Sequence, residues 1–126
     1  GAGNAVTKVI PSLAGKLTAN AVRVPTPNVS LAILKLSLNR TTSIEDLNAT
    51  MRDAALRGNL VNQINYQVDP ELVSTDIIGN SCCSVFDSNA TIVTDEGKDV
   101  VLYVWYDNEF GYSNKLVDLA EKVNSL

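Results

Sequence analysis

The sequence predicts an α+β fold, a mostly antiparallel sheet with helices on one face. Three observations carry that expectation. The periodic segments run helix, two strands, helix, several short strands and a closing helix, which is not the regular alternation of a parallel sheet. The longest apolar run, Val100 to Tyr106, is β-branched and aromatic and too short for a helix. Finally, the 126 residues contain no internal repeat and no linker long enough to divide them, so one domain is expected.

Taken in order, Ala2, Ala5, Val6, Val9 and Ile10 recur at helical spacing, and Pro11 disfavours helical geometry at Ile10. A helix that starts almost at the first residue is the expectation for a piece of a longer chain. Leu17 to Val24 reads as a strand, ended by the turn-forming PTPN from Pro25. Val29 to Leu38 reads as a long strand. Its Ala32, Leu34, Leu36 and Leu38 face is expected to pack against something. The clearest helix follows. Ser43 with Asp46, or Thr42 with Glu45, makes a capping box, and Ile44, Leu47, Met51 and Ala54/Ala55 make the apolar stripe. Gly58 suits the left-handed position past its end. Ile64 to Val68, Ser84 to Phe86 and Ala90 to Val93 read as short strands. Asp95-Glu96-Gly97 is a hairpin-type turn before the Val100 to Tyr106 strand. The closing helix is expected from about Asn114 to Asn124, with Leu116, Leu119/Ala120 and Val123 inward.

Composition narrows the function classes. Hydrophobic residues make up 45% and charged residues 19%, a globular balance. The net charge of −4 and the scattered Lys and Arg speak against a nucleic-acid binder. No apolar run reaches membrane-spanning length, and the N-terminus lacks the zones of a signal peptide. The Asn-x-Ser/Thr triplets at Asn28, Asn39, Asn48 and Asn89 are therefore read as chance products of composition. Histidine is absent, so catalysis by this chain alone would rest on carboxylates, lysines or tyrosines.

Three stretches could carry chemistry. Arg23 offers a planar fork of donors suited to phosphate or carboxylate, although a surface arginine at a strand end is the simpler reading. WYDNEFGYS, residues 105–113, lies between a strand and a helix. Asn108 offers a carboxamide donor and acceptor, and Tyr106, Phe110 and Tyr112 could wall in a flat ring. It reads equally well as a helix start whose acids favour the dipole and whose aromatics are core. Cys82 and Cys83 are adjacent, lack metal-site spacing, and have no cation or histidine nearby in sequence. They read as buried or inert thiols.

NAVTKVIPSLAGKLTANAVRVPTPNVS followed by WYDNEFGYSNKLVDLA resembles glyceraldehyde-3-phosphate dehydrogenase, in its C-terminal catalytic domain. The resemblance spans the chain; residues 39–99 match in outline only. It implies that residues 1–126 are the C-terminal part of the catalytic domain and that the NAD-binding Rossmann domain is absent. It implies phosphate-binding roles for Arg23 and, through its backbone N–H, Gly1. Asn108 resembles the residue that holds the nicotinamide carboxamide, and Tyr112 the tyrosine near that ring. Trp105, Tyr106 and Phe110 are left to the core. Glu109 receives no role.

The family's cysteine nucleophile and histidine base lie upstream of Gly1, and Cys82 and Cys83 do not match the nucleophile motif. The resemblance therefore implies no catalytic residue here and no activity for the chain alone. It implies a cytoplasmic, glycolytic parent enzyme. That parent is a homotetramer using NAD, glyceraldehyde 3-phosphate and inorganic phosphate, and this chain is a fragment of it. An erythrose-4-phosphate dehydrogenase fragment and a non-catalytic assembly or binding module are the alternatives.

Overall fold

The computed structural model describes residues 2–94 and 96–126, with side chains from Ala5 onward. Gly1 and Asp95, expected at a phosphate site and a hairpin turn, lie outside the described residues. The chain folds as α1 (Ala2–Val9), β1 (Ser30–Ser37), α2 (Ile44–Leu56), β2 (Ile64–Gln67), α3 (Ser74–Ile77), β3 (Ser84–Asp87), β4 (Ile92–Val93), β5 (Asp99–Tyr106) and α4 (Phe110–Asn124). This is the expected α+β class. The sheet order is β1-β5-β3-β2, with β4 also on β5. Three pairings are antiparallel, and β2 with β3 is parallel.

β5 is the spine of the sheet. It pairs with β1 along its whole length, from Ser30 opposite Tyr106 to Ser37 opposite Asp99. Its other edge is shared by β3 and β4 in succession, with Val85 opposite Trp105 and Ile92 opposite Val101. Residues 88–91 bulge out between them. Asn48 of α2 clamps the bulge: its Nδ2 donates to Ser88 O at 3.1 Å, and its Oδ1 accepts from Thr91 Oγ1 at 3.0 Å. The Asn48 amide is thus committed to the fold.

The principal core is small. Phe86, Val100 and Leu102 are buried on one face of the sheet, and Leu47 and Met51 of α2 pack over them. The helix is started as its sequence indicates, with Ser43 Oγ accepting the Asp46 N–H at 3.1 Å. It stops at Arg57, followed by Gly58 at φ +80°. Ile44 of the expected stripe remains 41% exposed.

Four expectations are corrected. Leu17–Val24 is exposed and forms no strand: an extended segment becomes one only when a ladder partner satisfies its backbone, and none lies beside it among the described residues. The apolar face of β1 is only partly covered: Ala32 and Leu38 are half-buried, while Leu34 and Leu36 are 41% and 37% exposed. α4 begins at Phe110 rather than Asn114. Only the start of α4 is seated, with Gly111 buried and Lys115 half-buried, while Leu116, Leu119 and Val123 point to solvent. The four-residue α3 escaped prediction because so short a helix shows no periodicity.

The turn after β4 is pinned to the β1–α2 connection. Thr42 N–H donates to Gly97 O, and Leu38 N–H to Lys98 O, both at 2.8 Å. Gly97 has φ +70°, and a Cβ there would stand 2.7 Å from Thr42 O. Both backbone strain and a collision with main chain oppose a side chain. Gly97→Ala is expected to lower stability by about 2 kcal/mol, read as a lower urea midpoint at unchanged slope. A wild-type midpoint would refute this account of the turn.

Candidate functional site

At the end of β5 the sequence Asp107-Asn108-Glu109 turns into α4, and Asp107 organises that turn. Its side chain is 3% exposed and fully used. Oδ1 accepts from Phe110 N–H at 2.8 Å, Glu109 N–H at 2.9 Å and Asn28 Nδ2 at 3.0 Å; Oδ2 accepts from Gly79 N–H at 2.9 Å. The Gly79, Phe110 and Glu109 amides, with the Asn28 amide, outweigh burial and lower the carboxyl pKa to about 2. It is ionised at any physiological pH. Two bonds go to the N–H groups that open α4, which lack helical partners. This explains the early helix start.

The Asn28 bond reaches further. Asn28 closes the exposed segment that carries Arg23, and Val29 beside it sits at φ +79°, a rare conformation for a β-branched residue. Ser30 then enters the sheet opposite Tyr106. The bond Asn28–Asp107 therefore fastens the Arg23 segment to the turn that carries Asn108. It also commits the Asn28 amide, as Asn48 is committed in the bulge, so two of the four Asn-x-Ser/Thr triplets serve the fold.

Each expected site residue among those described is presented outward. Arg23 is exposed, and among the described residues its guanidinium has no hydrogen-bond or ion-pair partner. Asn108 is exposed in the turn, and its carboxamide is likewise unpartnered among those residues. Tyr112 is 64% exposed in the first turn of α4. A free carboxamide can both donate to and accept from a carboxamide on a ligand. The structure anchors the Arg23 segment to the Asn108 turn but gives no direct contact between the two side chains.

Phe110, expected in the core, is 47% exposed, because the early start of α4 turns it outward. Trp105 and Tyr106 are half-buried, and Trp105 Nε1 donates to Asp87 Oδ2 at 3.4 Å. The reading of the cysteines also changes. Cys83 is exposed, and Lys115 of α4 supplies the cation that the sequence did not show nearby. Asp107 itself was passed over as a site residue; the helix-start reading of its stretch was the only signal for it.

The chain matches the family model described as glyceraldehyde 3-phosphate dehydrogenase, C-terminal domain, over residues 1–108. It is 50% identical over 121 residues to a glyceraldehyde-3-phosphate dehydrogenase-like protein of Pseudomonas aeruginosa, covering 96% of this chain and 26% of that protein. It is 48% identical to glyceraldehyde-3-phosphate dehydrogenase 1 of Bacillus subtilis, covering 95% and 35%, and 47% identical to glyceraldehyde-3-phosphate dehydrogenase 2 of Drosophila melanogaster, covering 99% and 37%. The chain thus spans between about a quarter and somewhat over a third of the length of these relatives.

Proposed function

The chain belongs to the glyceraldehyde-3-phosphate dehydrogenase family, through the C-terminal domain, and from that premise we propose that it supplies part of the phosphate and nicotinamide sites of a phosphorylating, NAD-dependent dehydrogenase. The observation that carries the proposal is the Asn28–Asp107 bond, which ties the segment of Arg23 to the turn of Asn108. Arg23 binds a phosphate group, either of glyceraldehyde 3-phosphate or of inorganic phosphate, with the Gly1 backbone beside it. Asn108 orients the nicotinamide carboxamide, and Tyr112 flanks the ring. NAD, when bound, accepts the hydride. The residues of this chain bind and orient; the nucleophile, the base and the NAD-binding domain belong to the rest of the enzyme.

Surface area supports a role within a larger body. The chain exposes 9339 Å², whereas a compact chain of its mass exposes about 6500 Å². The uncovered leucines of β1 and α4 account for part of that excess, and they suit coverage by the Rossmann domain and by neighbouring subunits of a cytoplasmic homotetramer. Among the described residues no helix is long and apolar enough to cross a membrane. An erythrose 4-phosphate substrate would use the same Arg23 contact.

Purified free of any full-length enzyme, the chain is expected to form no NADH from NAD, glyceraldehyde 3-phosphate and phosphate. NAD reduction by the chain would overturn the division of labour stated here. The uncovered β1 face equally suits a second reading, a non-catalytic assembly module. Adding the separately purified remainder of a related dehydrogenase separates the two: NADH formation restored on mixing favours the dehydrogenase reading, and a chain that self-associates without binding that remainder favours the module.

A further inference from the structure

The adjacent thiols of Cys82 and Cys83 take no part in the proposed dehydrogenase sites. They sit in the bend between α3 and β3, and both are free. The backbone of the bend is held from three sides. Cys82 N–H donates to Asn80 Oδ1 at 2.9 Å, and Ser84 N–H donates to Gln63 O at 3.1 Å. From the third side α4 presses on it through Gly111, where a Cβ would stand 3.2 Å from Cys82 O and 3.7 Å from the Cα of Cys83. The side chains are left as the adaptable part.

Cys83 is exposed, and its Sγ lies 3.2 Å from Gln63 Oε1 and 3.3 Å from Gln63 O. Gln63 thus offers two alternative acceptors to the Cys83 S–H. Cys82, the preceding residue, is half-buried. Lys115 Nζ is held at Asn62 O, one residue from the Cys83 contact, at 2.9 Å, and acts on both sulfurs. Two thiols on consecutive residues therefore sit on one fixed bend, with Cys83 exposed and Cys82 half-buried.

Burial pushes the Cys82 thiol up, against the opposing pull of Lys115. A protonated thiol attacks disulfides poorly, because the thiolate is the nucleophile. A thiophilic centre that expels the protons as it binds works differently. Side chains on consecutive residues do not readily straddle a linear two-coordinate ion, so a pyramidal centre with a narrow bite suits them better.

We propose that Cys82 and Cys83 form a two-thiol capture site for monosubstituted trivalent arsenicals. Two As–S bonds form, the arsenic–oxygen bond breaks, and the oxygen leaves as water with the two thiol protons. Arsenic stays trivalent, no electron is transferred, and the bridged product is neutral.

Phenylarsine oxide added to the chain tests this. Intact mass is expected to show one adduct per chain, with both thiols lost to maleimide labelling. The adduct should be removed by 2,3-dimercaptopropanol and resist a monothiol. Cys82→Ser and Cys83→Ser should each weaken capture at least about a hundredfold, because the second anchor is intramolecular. Far-UV circular dichroism confirms that the variants fold. A maleimide-reactive thiol remaining on the wild-type adduct overturns the proposal without recourse to a variant. Removal by a monothiol overturns it too, as does wild-type affinity in either folded variant.

Discussion

Replacing Phe86 with alanine is expected to cost about 3–5 kcal/mol and to leave the chain largely unfolded at room temperature. Phe86 is fully buried at the centre of the sheet, opposite Val104 of β5 and beside Tyr66 at a ring-centroid separation of 5.7 Å. It holds β3 between β2 and β5, so its loss leaves a cavity shared by three strands. Little else can compensate. Among the described residues the other buried apolar side chains are Ala55, Ile77, Val85, Val100 and Leu102. Domains have net stabilities of about 5–15 kcal/mol, and one this exposed belongs at the low end. Loss of the urea transition, or of far-UV ellipticity without denaturant, is the expected reading. A cooperative transition displaced by less than about 1 kcal/mol would place the centre of stability elsewhere. Phe86→Leu keeps most of the volume and should retain the transition at a lower midpoint.

The elements that were legible in the sequence are those whose signals are local. α2 shows its cap, stripe and closing glycine within sixteen residues, from Ser43 to Gly58. β5 announces itself by β-branched and aromatic content. What could not be read depends on distant partners. Leu17–Val24 has the alternation of a strand but, among the described residues, no neighbour to pair with. The inward stripe of α4 is real as a pattern, yet only its first turns meet the sheet. The parallel pairing of β2 with β3 follows from the path of α3 between them, and nothing in either strand encodes it. Arg23, Asn108 and Tyr112 stand out as candidates by their chemistry and position, and only the family resemblance attaches roles to them, because exposed polar groups carry no periodic signal. The cation near Cys82 and Cys83 comes from Lys115, on an element that only the fold brings alongside.

Asp107→Ala is expected to destabilise by about 3 kcal/mol, and its effect on the site should exceed that of any neighbouring change. Four donors lose their acceptor together: the amides of Gly79, Glu109 and Phe110 and the side chain of Asn28. Asp107→Asn should cost somewhat less, about 2 kcal/mol, because its oxygen can still accept at the Oδ1 position while the NH₂ in place of Oδ2 faces the Gly79 N–H, donor against donor, and the charge that strengthens all four bonds is lost. Asn28→Ala removes a single bond and should cost about 1 kcal/mol.

The pH dependence separates this account from a general loss of packing. The folded pKa of about 2 lies below the ordinary 3.8. A lowered carboxyl pKa means that the unfolded chain binds the proton more readily. The contribution of Asp107 is therefore fully present above about pH 5, and it fades as pH falls from about 4 to 2. Its size is about 2 kcal/mol. The stability gap between the wild-type chain and Asp107→Asn should accordingly be widest at neutral pH and shrink by about that amount toward pH 2. Urea midpoints at pH 7 and pH 3 measure its first half, about 1 kcal/mol. A gap unchanged between the two would mean that the ionised carboxylate is not what joins the Arg23 segment to the Asn108 turn, and the proposed alignment of phosphate and nicotinamide contacts would lose its anchor.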